Sequence, residues 1–150
     1  MSWGLRNRLD RILPGLSKGK GSVMFAIDHG YFMGPTTGLE VPQETVLPLL
    51  PYADSLMLTR GILQHCIPEG TNMPIVLRVS SGNSILNDDL SNEELCVSTE
   101  DAIRLNASAV AFSIYIGADD IYIDDDFAPD AGRVLLRYGF EELNLHRVWA

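Results

Sequence analysis

Apolar residues recur at Trp3, Leu5, Leu9, Ile12 and Leu13, close to helical spacing, and Pro14-Gly15 stops the run. A loop over residues 15–21 leads into residues 22–27, which are nearly all apolar. Such a short continuous run suits a parallel strand covered on both faces. Pro42 opens a helical pattern over residues 42–50, with Pro48 limiting or kinking it. Residues 55–59 read as a second strand, and residues 60–66 as one or two helical turns. A third strand over residues 75–80 is entered through Met73-Pro74. Ser91-Asn-Glu-Glu has the form of a capping box, and a helical pattern runs over residues 99–105. Residues 107–116 read as a fourth strand.

Strands thus alternate with helices, which predicts an α/β fold built on a parallel sheet. Crossovers of the usual right hand place the loop after each strand on one edge of the sheet, where α/β proteins carry their chemistry.

The rhythm changes near Gly117. Residues 1–117 hold 12 acidic and 8 basic side chains, whereas residues 118–150 hold 8 and 3. Residues 121–123 form a short apolar run between Asp119-Asp120 and Asp124-Asp125-Asp126. Pro129-Asp-Ala-Gly starts a helix with Val134, Leu135, Tyr138 and Leu143 on its apolar face and Arg133 and Arg137 outward. Residues 146–150 close the chain as an apolar strand. We therefore expect residues 118–150 to be an acidic loop and a helix–strand tail packed as one domain with residues 1–117.

The 150 residues are one domain's worth, enough for a single core. A formal charge of −9 argues against nucleic acid as a partner, because its phosphates are repelled. No stretch approaches the ~18 apolar residues of a membrane span. The basic first residues lack an apolar run ending in a cleavage site, so no signal peptide is read and a packed helix is expected there. Cys66 and Cys96 form no CxxC pair and suit reduced, partly buried thiols of a cytoplasmic protein.

Candidate chemistry gathers behind the strands. Asp28-His29-Gly30 follows the first strand directly, where an acid beside a histidine can polarise a carbonyl or move a proton. The same pair also suits a turn cap and a packed ring. Thr36 and Thr37, in Gly-Pro-Thr-Thr-Gly, offer hydroxyls and backbone N–H groups to an anion, or serve as turn residues. Arg60 and Arg78, at or near strand ends, meet an anionic substrate or form structural ion pairs. Ser80 and Asn83, with Ser81 between them, bond a substrate or build a turn. The carboxylates of residues 119–126 lack calcium-loop spacing, and His29, His65 and His146 fit no zinc motif. No metal and no cofactor is expected.

Trp3-Gly4 with Arg8-Leu9, FAIDHGYFMGPTTGLE, YADSLMLTRGIL, PIVLRVSSGNSIL, LSNEE, DAIRLNASAVA and YIG follow one another along residues 3–117. Together they resemble the DeoC/FbaB group of class I aldolases, in its branch of LsrF-type thiolases acting on phosphorylated keto-sugars. The resemblance implies a (βα)8 barrel, Asp28 and His29 as site residues, a Schiff-base lysine on the sixth strand and phosphate-binding loops after the seventh and eighth. Such barrels take about 250 residues. The only lysines here, Lys18 and Lys20, precede the first strand. The expectation is a partial barrel of four βα units that is inactive alone. A non-catalytic assembly module, forming a homo-oligomer through an exposed sheet edge, is the alternative. Residues 132–149, GRVLLRYGFEELNLHRVW, resemble a helix–strand segment of GNAT acetyltransferases, which leaves an acetyl-CoA-dependent transferase as a third reading.

Overall fold

A computed structural model describes residues 2–15, 18–34, 36–82, 84–88 and 93–113, together with positions 133, 134 and 137. The first helix, α1 (Trp3–Ile12), is capped by Ser2, whose Oγ accepts from Leu5 N–H at 3.3 Å. Ile12 is buried, but Trp3 is exposed, so the apolar stripe covers less than its spacing predicts. Strand β1 (Met24–Ala26) leads into the short helix α2 (Gly30–Met33). Next comes α3 (Pro42–Val46), which tightens into a 3-10 segment, Leu47–Tyr52. The cause is proline: Pro48 and Pro51 have no N–H to give to the preceding turn.

Strand β2 (Ser55–Thr59) runs directly into α4 (Arg60–Cys66). Thr59 Oγ1 caps that helix by accepting from Ile62 N–H at 3.3 Å. Strand β3 (Ile75–Arg78) is followed by β4 (Ser80–Ser81), which pairs antiparallel with β5 (Glu94–Leu95). Helix α5 (Thr99–Arg104) and strand β6 (Ala109–Ala111) complete the described elements. The cap of α5 is Ser98, whose Oγ accepts from Asp101 N–H at 3.1 Å. Glu94, read above as part of a capping box, lies instead in β5. Ser98-Thr-Glu-Asp takes the cap because it stands immediately before the apolar helical face.

Four strands form one parallel sheet in the order β1-β2-β3-β6. Each new strand adds beside the last. A barrel grows in this way, whereas a doubly wound sheet reverses direction at a switch point. The α/β expectation of a partial (βα)8-type barrel therefore holds.

Register places Phe25 beside Leu56, Leu56 beside Ile75, and Leu77 beside Val110. Alternate residues share a face. One face presents Ile27, Leu56, Leu58, Ile75, Leu77 and Val79, which pack with Val46, Ile67, Val97 and Ala102 into the core. The opposite face carries Met57, Thr59, Val76 and Arg78, as the concave side of a barrel wall does. Burial on both faces holds for β2 and β3 only. The outer strands β1 and β6 are half exposed, with Met24, Val110 and Phe112 open to solvent. Each has a strand neighbour on one side alone among the described residues.

Strand limits also differ from the apolar runs. The fourth strand is the three residues of β6 rather than residues 107–116, whose last members lie outside the described residues. In the tail, Arg133, Val134 and Arg137 are helical. Val134, expected to be buried, is 67% exposed. Leu135, Tyr138, Leu143, His146 and the acidic run 119–126 lie outside the described residues. Among the described residues no helix is long and apolar enough to cross a membrane.

Candidate functional site

The chain leaves β1 with Ile27 turned into the core and Asp28, only 3% exposed, on the concave face. Ile27 N–H continues the ladder by donating to Met57 O at 2.8 Å, which fixes the direction in which Asp28 departs. Across the sheet, Arg78 ends β3 on the same face. Its Nε donates to Asp28 Oδ2 at 2.8 Å, and its Nη2 lies 2.7 Å from the same oxygen. Arg78 Nη1 donates to Ser113 Oγ and lies 3.5 Å from Ser80 Oγ. The Tyr31 ring stacks on the guanidinium at 4.7 Å, and its hydroxyl donates to Ser113 Oγ at 3.3 Å. Stacking and a planar fork of donors are arginine's own chemistry, which lysine does not reproduce.

Ser80 ties the remaining strands together. Its Oγ accepts from Ser113 N–H at 2.9 Å and donates to Glu93 Oε1 at 2.7 Å. Asp28, Tyr31, Arg78, Ser80, Glu93 and Ser113 therefore form one polar cluster, buried at Asp28 and Ser80 and half-buried elsewhere, behind the carboxyl ends of β1, β3 and β6. The excursion that carries Glu93 is held at both ends: Ile85 N–H donates to Phe32 O at 3.0 Å, and Cys96 N–H to Val79 O at 2.8 Å.

Of the candidates from sequence, Asp28, Arg78 and Ser80 meet here. His29 stands at the start of α2, exposed, and its side chain joins none of the cluster. Thr36 is half-buried, its Oγ1 buried and unpartnered among the described residues, while Thr37 is exposed. The backbone expected to receive an anion is partly engaged already, because Gly38 N–H donates to Glu40 Oε2 at 2.6 Å. Gly38 has φ of 87°, a left-handed turn that favours glycine. Arg60 is exposed on the first turn of α4, apart from the cluster. Asn83 lies outside the described residues.

The sequence reading passes over Tyr31, Glu93 and Ser113. Cys96, expected to be partly buried, is exposed, with its Sγ 3.3 Å from Val79 O. Among the described residues no three His, Cys, Asp or Glu side chains are grouped to hold a metal.

A sequentially ordered parallel sheet with its polar cluster at the carboxyl edge has the form of the wall of a (βα)8-type barrel. Solved structures agree. An archaeal fructose 1,6-bisphosphate aldolase superposes with a TM-score of 0.60 at 26% identity, over 89% of this chain and 53% of that one. Another, matching equally well, holds its catalytic lysine covalently bound to the carbinolamine intermediate of the substrate. The chain belongs to the DeoC/LacD family of aldolases, whose sequence profile it matches over residues 22–123. That match runs past Gly117, where the resemblance was expected to end.

Curated relatives include 3-hydroxy-5-phosphonooxypentane-2,4-dione thiolases. The one from Yersinia pseudotuberculosis serotype O:1b is 54% identical over 119 residues. Those from Photorhabdus laumondii and Escherichia coli O139:H28 are 52% and 51% identical over the same length. The chain spans 40% of the length of each of these relatives.

Proposed function

We propose that the chain supplies the first half of an aldolase- or thiolase-type site for a phosphorylated keto-sugar, with the amine nucleophile contributed by polypeptide beyond these 150 residues. The carrying observation is Asp28, buried at the carboxyl edge and gripped by Arg78 on one oxygen only. Oδ2 takes both guanidinium contacts, which leaves Oδ1 as the acceptor for a substrate hydroxyl. In aldol cleavage that hydroxyl gives up its proton as the neighbouring carbon–carbon bond breaks, and the electron pair flows into the iminium formed by the amine. His29 at the rim exchanges a proton or a hydrogen bond with the same ligand. Arg60, Thr36 and Thr37, on the segments that follow β1 and β2, are the candidates to meet its phosphate and hydroxyl groups. Residues 132–149 carry no part of this reading, and a cytoplasmic setting suits it.

The nucleophile is the missing part. Lys18 and Lys20 are exposed and precede β1, so they stand before the amino end of the sheet, away from Asp28. Borohydride reduction in the presence of fructose 1,6-bisphosphate should leave both lysines unlabelled on peptide mapping. In ligand-observed NMR the same compound should show binding that Asp28→Ala removes. Stoichiometric labelling of either lysine, or no binding to the unsubstituted chain, would overturn the proposal.

A second reading, assembly through the sheet edge, is favoured by β1 and β6, each unpaired on one side among the described residues and bordered by exposed Met24, Val110 and Phe112. Parallel edges are seldom left bare. Light scattering should then report a multiple of the 16.5 kDa chain mass, and a monomer at all concentrations would refute assembly.

A further inference from the structure

Glu93 has no role in the chemistry above, yet it joins the cluster through Ser80. A serine hydroxyl has one proton to give. Ser80, 2% exposed, gives that proton to Glu93 Oε1. Its lone pairs are thereby turned toward Ser113 N–H and Arg78 Nη1. Without the carboxylate, the hydroxyl proton would seek another acceptor and cease to present its lone pairs to those donors. The Ser113 backbone would lose its anchor, and Ser113 Oγ is the other acceptor for Nη1. Glu93 Oε2, meanwhile, is buried with no hydrogen-bond partner among the described residues. An acidic side chain placed with one oxygen unsatisfied costs stability, so packing alone is a poor explanation of its presence.

We infer that Glu93 is a positioning residue: acting through Ser80 and Ser113, it fixes the plane of the Arg78 guanidinium and so the carboxylate of Asp28. The residue just before β5 is thereby coupled to the Asp28–Arg78 pair. The inference builds on the carboxyl edge as the site. Its test reads Arg78 and needs no substrate, so either idea can fail without the other.

The test is side-chain NMR on the chain labelled with nitrogen-15 arginine, with Arg78 assigned from its backbone connectivity. A guanidinium held on both Nη groups rotates slowly about its Cζ–Nε bond and gives two separate Nη signals. The unsubstituted chain should show this for Arg78. Glu93→Ala should merge the two signals, whereas Glu93→Gln, whose amide oxygen still accepts from Ser80, should keep them apart. A residue that merely filled space would lower the melting temperature and leave the signals separate. Should Glu93→Ala fail to fold, Ser80→Ala removes the linking atom with Glu93 in place and should merge them equally. Separate signals in Glu93→Ala, or in Ser80→Ala where that variant replaces it, would overturn the inference. So would merging in Glu93→Gln.

Discussion

Arg78→Ala is expected to destabilise the chain by roughly 3–5 kcal/mol, the usual cost of removing one partner of a buried ion pair. The side chains of Arg78 and Asp28 are 11% and 5% exposed, so little solvent screens the contact. The alanine variant leaves the Asp28 carboxylate desolvated and unpaired, and Ser113 Oγ without the donor at Nη1. The Tyr31 face loses its cation as well, a contact of about 0.5–2 kcal/mol. Against the about 5–15 kcal/mol that holds a typical domain folded, this is a large fraction.

Urea titration of Arg78→Ala, Asp28→Ala and the double variant separates the terms. The double variant should cost clearly less than the two singles added, because it strands no charge. Equal additivity would mean that the pair is solvated and carries no coupling. Asp28→Asn should fall between, since the amide oxygen still accepts from Arg78 while the charge is gone.

The pairing of Asp28 with Arg78 is nearly legible in the sequence. Each follows or ends a short apolar run, and parallel strands taken in order bring such positions to one edge. Alternation adds the rest: Asp28, Arg78 and Ser80 fall on the face opposite Ile27, Leu77 and Val79. The same counting reaches Ser113, two residues beyond Ala111, which lies beside Arg78 in register. It needs that register, however, and the apolar run 107–116 carries no mark that singles Ser113 out. Tyr31 reads as an apolar member of its motif because a stacking contact leaves no periodicity. Glu93 is concealed by a local pattern, Ser91-Asn-Glu-Glu, that imitates a helix cap. Tertiary pairing of β5 with β4 decides that competition, and no local propensity announces it. An exposed sheet edge is expected from the half-barrel resemblance, but the half exposure of β1 and β6 is not, since an apolar run does not say how many neighbours it will find.

The core makes the other large prediction. Leu58 is 0% exposed in β2, the strand between β1 and β3, on the face that packs against Val46 and Ile67. Leu58→Ala should cost about 2–5 kcal/mol, the lost transfer energy plus the cavity that a central strand cannot collapse to fill. Val110 occupies the same face of β6 but is 48% exposed, and Val110→Ala should stay within about 0.5 kcal/mol of the unsubstituted chain. The contrast tests whether packing is concentrated under β2 and β3, as the burial pattern has it. It also reaches the site. Leu58 precedes Thr59, which caps α4 and stands beside Arg78 in the ladder. A cavity beneath that step should therefore loosen the Arg78 guanidinium, so its two Nη signals should broaden in Leu58→Ala and stay sharp in Val110→Ala. Equal costs for the two substitutions would show that the half-sheet is not closed by a packed core, and that the cluster at its edge is held by its own ion pair, stacking and hydrogen bonds.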